Sequence, residues 1–169
     1  MKSTLALSSL FTAVALLFTG VGLFIFFSNI ELTNAGISSE KIGFINAGFY
    51  LGALLSGIIA QRWVAKVGHI RAFALFTAII TIGILLHVVV KQEIVLIVLR
   101  VILGFSDYSL LMVVESWLNA RSTNQNRSSI LAVYTMIFYM AFMLASLVIA
   151  TPIESATMYV LCAILAAAS

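Results

Sequence analysis

"RVILGFSDYSLLMVVESW", residues 100–117, is an apolar run that carries three charges, Arg100, Asp107 and Glu115. Its reading decides the fold, because such a run belongs either to a soluble core or to a membrane span. Composition settles the solvent. Of the 169 residues, 63% are hydrophobic and 9% charged, and the mean hydropathy is +1.18. Soluble domains carry roughly 25% charged residues. A chain of this length cannot hide so much apolar surface in one core, so lipid must cover it. The formal net charge of +3 is small and scattered, which excludes a nucleic-acid interface. The single cysteine, Cys162, permits no internal disulfide and no metal cluster.

Crossing the hydrocarbon takes about 20 apolar residues. Five stretches satisfy this, near 5–28, 42–60, 72–90, 94–118 and 130–150, and a sixth, 156–169, stops at Ser169. The sixth is short for a span, so the chain is expected to be a fragment ending before its natural terminus. The first run is longer than a signal-peptide core and has no clean Ala-x-Ala site, so it reads as a first transmembrane helix. Basic residues in short loops orient the bundle. With a cytoplasmic N-terminus, Lys2, Arg62, Lys66, Arg71, Arg121 and Arg127 lie inside. Lys41 and Lys91 then lie outside with Glu31, Glu40, Glu93 and Glu154, and the N-terminus is expected to be inside. Pro152, the one proline, opens the turn before the sixth stretch.

Within the second stretch Gly48, Gly52, Ser56 and Ala60 recur every four residues. Small residues at that spacing let helices approach closely. They suit static packing or a surface that rocks against its neighbour.

The charged run now has a place. Entered near Ile94 at about 1.5 Å per residue, the fourth helix carries Arg100 about 9 Å deep, Asp107 about 20 Å and Glu115 about 31 Å. At about 100° per residue, Asp107 lies about 20° to one side of Arg100 and Glu115 about 60° to the other, with Gly104 in the same arc. One face therefore carries all three charges and should meet protein or water. Each charge costs about 2.5–3.5 kcal/mol at a helix centre on insertion scales, and such residues mark pathways or partners. Glu115 is close enough to the interface to reach water, and Arg100 is long enough to snorkel. Asp107 is short and near mid-depth; it must pair, protonate or border a cavity. His87, at the outer end of the third helix, reads as an interfacial residue.

Four motifs in order point to a family. "LRVILGFSDYSLLMV" resembles the fourth-helix arginine motif of the major facilitator superfamily, an arginine followed four residues later by glycine. "KVGHIRAFAL" resembles that superfamily's signature loop. The set "AGISSEKIGFINAGFYLGALLSG", "VGHIRAF", "VVESWLN" and "NRSSILAVYTMIFYM" looks like one bacterial branch of these transporters. The resemblance covers nearly the whole chain. It implies an all-α membrane domain, the N-terminal half of a twelve-helix secondary transporter in the bacterial inner membrane, whose two halves rock about a central cavity. The partners it implies are a small solute, protons and the missing C-terminal six-helix half. By the same resemblance Arg100 serves proton or substrate coupling, with Asp107 beside it. Lys66, Gly68 and Arg71 match the loop that latches the cytoplasmic gate, and Glu115 is their acidic partner. The usual opening glycine and aspartate of that loop are replaced by Gln61 and Ala65. The fifth helix lacks the glycine and proline of typical drug–proton antiporters.

Enzyme readings fare worse. "GFSD" resembles the serine motif of rhomboid-like intramembrane proteases, but that chemistry needs a histidine base downstream, and His69 and His87 both precede Ser106. No H-E-x-x-H and no glycine-rich phosphate loop occurs, so no metal or cofactor is expected. The rival to transport is a half-size protein that only assembles with a partner.

Overall fold

The computed structural model describes residues 2–151 and 153–169, with side chains from residue 7 onward. Pro152 and the side chain of Lys2 lie outside the described residues. Six helices follow in order: α1 (Lys2–Asn34), α2 (Ser39–Val67), α3 (His69–Val89), α4 (Glu93–Arg121), α5 (Arg127–Val148) and α6 (Ser155–Ala167). No strand occurs among the described residues. The first five are long and apolar enough to cross a membrane. Helix α6 has 13 residues, about 20 Å of rise against a hydrocarbon core of about 30 Å.

Several helices outrun the apolar stretches that announce them. Helix α2 continues past residue 60 to Val67, and α4 past residue 118 to Arg121. Hydropathy marks where lipid ends, whereas a helix ends where its backbone can no longer continue. For α2 that point is Gly68, at φ 85 and ψ 157, a conformation open to glycine and costly for other residues. Its N–H closes α2 on the Val64 carbonyl at 2.9 Å, and its own carbonyl accepts the N–H of Ala72 at 3.0 Å, inside α3. One residue thus ends one helix and starts the next. At the other end of α2, Ser38 caps the helix, its Oγ accepting from the Lys41 N–H at 3.5 Å.

Helix α4 packs along α2 and against α3; α1 packs against α5 and α6, and α3 also meets α6. One hydrophobic core joins α1, α3, α4 and α6 around Phe24, Ile84, Leu110 and Cys162. A second joins α1, α4 and α5 around Val14, Phe18, Val114 and Tyr134. The closest contact is between α2 and α4. Gly48, Gly52, Ser56 and Ala60 are all buried on α2. A methyl group at Gly52 would overlap the Val101 carbonyl, and one at Gly104 would overlap the Phe49 carbonyl. The glycines of the two helices therefore seat each backbone against the other. The outer surfaces of α2 and α5 expose Tyr50, Leu54, Ile58, Met136, Tyr139 and Leu147, as a lipid-facing surface should.

Candidate functional site

Burial distinguishes the three charges of α4. Arg100 is 1% exposed and Asp107 7%, whereas Glu115 is exposed. The helix seats them so because its buried face, from Leu96 through Leu103, Gly104 and Leu110 to Leu118, includes both positions.

Arg100 is held from α1. Its Nη2 donates to Ser28 Oγ at 2.6 Å, and its guanidinium carbon lies 4.8 Å from the centroid of the Phe24 ring. Ser28 Oγ in turn donates to the Ile25 carbonyl at 3.2 Å. Gly48 of α2 lets that helix come close to the turn that precedes the arginine, because a Cβ there would stand 2.9 Å from the Ile97 carbonyl oxygen. Arg100 Nε has no hydrogen-bond partner. The guanidinium is thus anchored inside the bundle by a hydroxyl and an aromatic face, and does not snorkel to an end of the helix.

Asp107 is buried with Oδ1 unpartnered. It makes no ion pair with Arg100: among the described residues the one ion pair is Lys41–Glu93, at 2.6 Å, where α2 and α4 meet beyond the apolar region. Tyr134 of α5 lies within electrostatic reach of Asp107 and Glu115, and its buried hydroxyl also lacks a partner. Neither Arg100 nor Asp107 is on the walls of the cavities at the two ends of the bundle.

At the end that carries Gly68, Glu115 lines a cavity of about 490 Å³ with Gln61, Ala65, His69, Ser116 and Asn119. His69 Nε2 lies 3.0 Å from Ser116 Oγ and so ties the start of α3 to α4. Arg71 lines a neighbouring cavity of about 330 Å³ with Gly68, His69, Trp117 and Arg121. Arg121 stacks over Trp117 at 5.0 Å. Glu115 pairs here with neither Lys66 nor Arg71; the direct tie across this end is made by His69.

At the opposite end, His87 departs from its expected interfacial place. It is 5% exposed. Its Nδ1 donates to the Gly83 carbonyl at 2.7 Å, and its ring stands edge-on to Phe24, with 4.8 Å between centroids. An imidazole whose hydrogen is taken by its own helix, and whose faces meet aromatic rings, turns inward. Ser28, Phe24, Tyr134 and His69 also escaped the sequence reading. Phe24 and Ser28 do share a helix face at a spacing of four, but nothing local announces that Arg100, 72 positions on, is their partner.

With the geometry in place, similarity to known proteins identifies the chain. The sequence profile of the Major Facilitator Superfamily matches residues 10–169. The chain belongs to this superfamily. It is similar to curated proteins named "Uncharacterized MFS-type transporter YcaD" from Salmonella newport (strain SL254), Salmonella heidelberg (strain SL476) and Salmonella typhi. Each is 26% identical over 118 residues, covering 70% of this chain and 31% of the relative. The aligned part thus spans about a third of the curated relatives' length. No solved structure gives a significant match. The all-helical bundle is that of the N-terminal half of a major-facilitator transporter, an integral membrane protein.

Proposed function

We propose that this six-helix unit is one half of a proton-coupled secondary transporter for a small solute, working by alternating access in a bacterial inner membrane. The observation that carries this reading is the pair of buried, unpaired opposite charges on α4. Arg100 and Asp107 are seven residues apart, about 10 Å along the helix. Their attraction at an effective dielectric of about 20 is about 1.7 kcal/mol, less than the several kcal/mol that burying each ion costs. Static stability therefore does not explain them. A carboxyl that takes up and releases a proton, beside a fixed guanidinium, does. Asp107 is the proton carrier in this reading, and Arg100 is the fixed charge that keeps the site polar and offers a donor to solute.

The basic residues near Gly68 argue for placing that end in the cytoplasm, with the N-terminus inside. Lys66 and Arg71 then form the cytoplasmic latch with Glu115, closing when the cavity along Gln61 and Asn119 collapses, and Gly68 is the pivot between α2 and α3. The second six-helix half supplies the other wall of the solute path.

The test is uptake by everted and right-side-out vesicles from cells with and without the full-length protein, using an isotopically labelled metabolite pool. Proton-coupled transport gives at least one solute whose accumulation collapses when a protonophore is added. Accumulation that survives the protonophore would refute proton coupling, and identical pools with and without the protein would refute transport.

A further inference from the structure

We infer that His87 is a second proton-binding site, separate from Asp107, occluded in this conformation and served by the cavity at the α3–α4 loop end of the bundle. That cavity, about 280 Å³, is bounded by Ser28, Glu31, His87, Lys91, Glu93 and Tyr159. It lies inside the six-helix unit, among α1, α3, α4 and α6, so no other half is needed to complete it.

The ring's hydrogen bonding fixes its state. Nδ1 faces the Gly83 carbonyl, so Nδ1 holds the hydrogen and Nε2 presents a lone pair. That Nε2 is buried without a partner. Leaving such an atom unmet costs roughly 1–3 kcal/mol, and exceptions of this kind call for a cause. With no acceptor beside Nε2, the packed arrangement fits the neutral ring. A rearrangement that exposes Nε2 to the cavity lets it accept a proton from water, giving an imidazolium with N–H groups on both nitrogens.

The surroundings decide what that charge does. Around the ring, Glu31 from α1, Lys91 from the loop, Glu93 from α4 and Tyr159 from α6 share its cavity wall, and Arg100 from α4 meets the same Phe24 ring. Glu93 is already paired with Lys41. Glu31 is half-buried and forms no ion pair, which leaves it as the available counter-charge. Arg100 opposes the new cation: its guanidinium and the His87 ring each lie 4.8 Å from the centroid of Phe24. Protonation therefore drives the ring away from Arg100 and toward Glu31. Ser28, which holds Arg100, lines the same cavity, so pH at this end acts on the arginine of α4.

The chain has two histidines, which makes the test direct. The full-length protein, labelled with ring-¹⁵N histidine in lipid nanodiscs, is titrated from pH 8.5 to 5.0. Loss of a signal in His87→Asn, or its survival in His69→Asn, assigns His87, so the assignment does not depend on either variant alone. The expected result is a ring with hydrogen on Nδ1 at high pH that becomes doubly protonated as pH falls. Glu31→Gln should lower its proton affinity about tenfold and Glu31→Asp restore it, as for the opposite charge that receives the imidazolium. A ring that keeps one hydrogen down to pH 5.0, or a titration indifferent to Glu31→Gln, would overturn the inference.

Discussion

Arg100 shows what a single residue can and cannot disclose. Its place on the buried face of α4, with Asp107 a small angle away, follows from counting along a helix. Its partners do not, because Ser28 and Phe24 lie on another helix and contact is a property of packing. The guanidinium has one side-chain hydrogen bond, to Ser28, and hydrogen bonds to charged groups contribute about 1.5–3 kcal/mol. Ser28→Ala should therefore lower the stability of the detergent-solubilised protein by about that amount, read as a fall in its thermal transition. A drop well under 1 kcal/mol would mean that Phe24 and the surrounding protein hold the arginine without the hydroxyl.

Among the elements, the pairing of α2 with α4 governs the bundle. The four-residue spacing of Gly48, Gly52, Ser56 and Ala60 made the packing face of α2 legible; that α4 is its partner, with Gly104 against Phe49, is a property of packing. The lengths of the helices were less legible, since polar ends such as Arg62 to Val67 remain helical outside the apolar stretch until Gly68 turns the chain. Glycines off this face are a control: a Cβ at Gly57 meets nothing within 4 Å. Gly52→Leu should cost more than the roughly 1–3 kcal/mol of ordinary overpacking, because backbone, not a flexible side chain, stands in the way. Gly57→Ala should be neutral or mildly stabilising. Thermal melts of the two variants, compared by fluorescence-detected size exclusion, check the contrast. Equal behaviour would remove the close α2–α4 contact from the account of stability.

For the whole molecule, the two ends matter most. Lys41–Glu93 bridges α2 and α4 at one end, and a cavity lined by Glu115 and His69 opens at the other. In the proposed latch, closing the second end brings Glu115 to Lys66 or Arg71. Such interfacial pairs contribute about 0–1 kcal/mol each, enough to shift a balanced equilibrium without unfolding anything. Glu115→Gln should accordingly raise thiol labelling of cysteines placed at Gln61 or Asn119 in the full-length protein; unchanged labelling of a properly inserted variant would count against the latch. Whether these ends open alternately was not legible in the sequence, because charge asymmetry gives orientation and motifs give family, while a conformational cycle leaves no local signature.

Proton coupling at Asp107 is tested most directly by gradient-driven accumulation in proteoliposomes. The measurement compares full-length wild type with Asp107→Asn, using a solute identified by the vesicle screen and an imposed pH gradient. Coupling through this carboxyl predicts that the variant inserts and equilibrates solute down its own gradient, but no longer concentrates it when the pH gradient is applied. Full gradient-driven accumulation by Asp107→Asn would contradict it and leave Asp107 a packing residue.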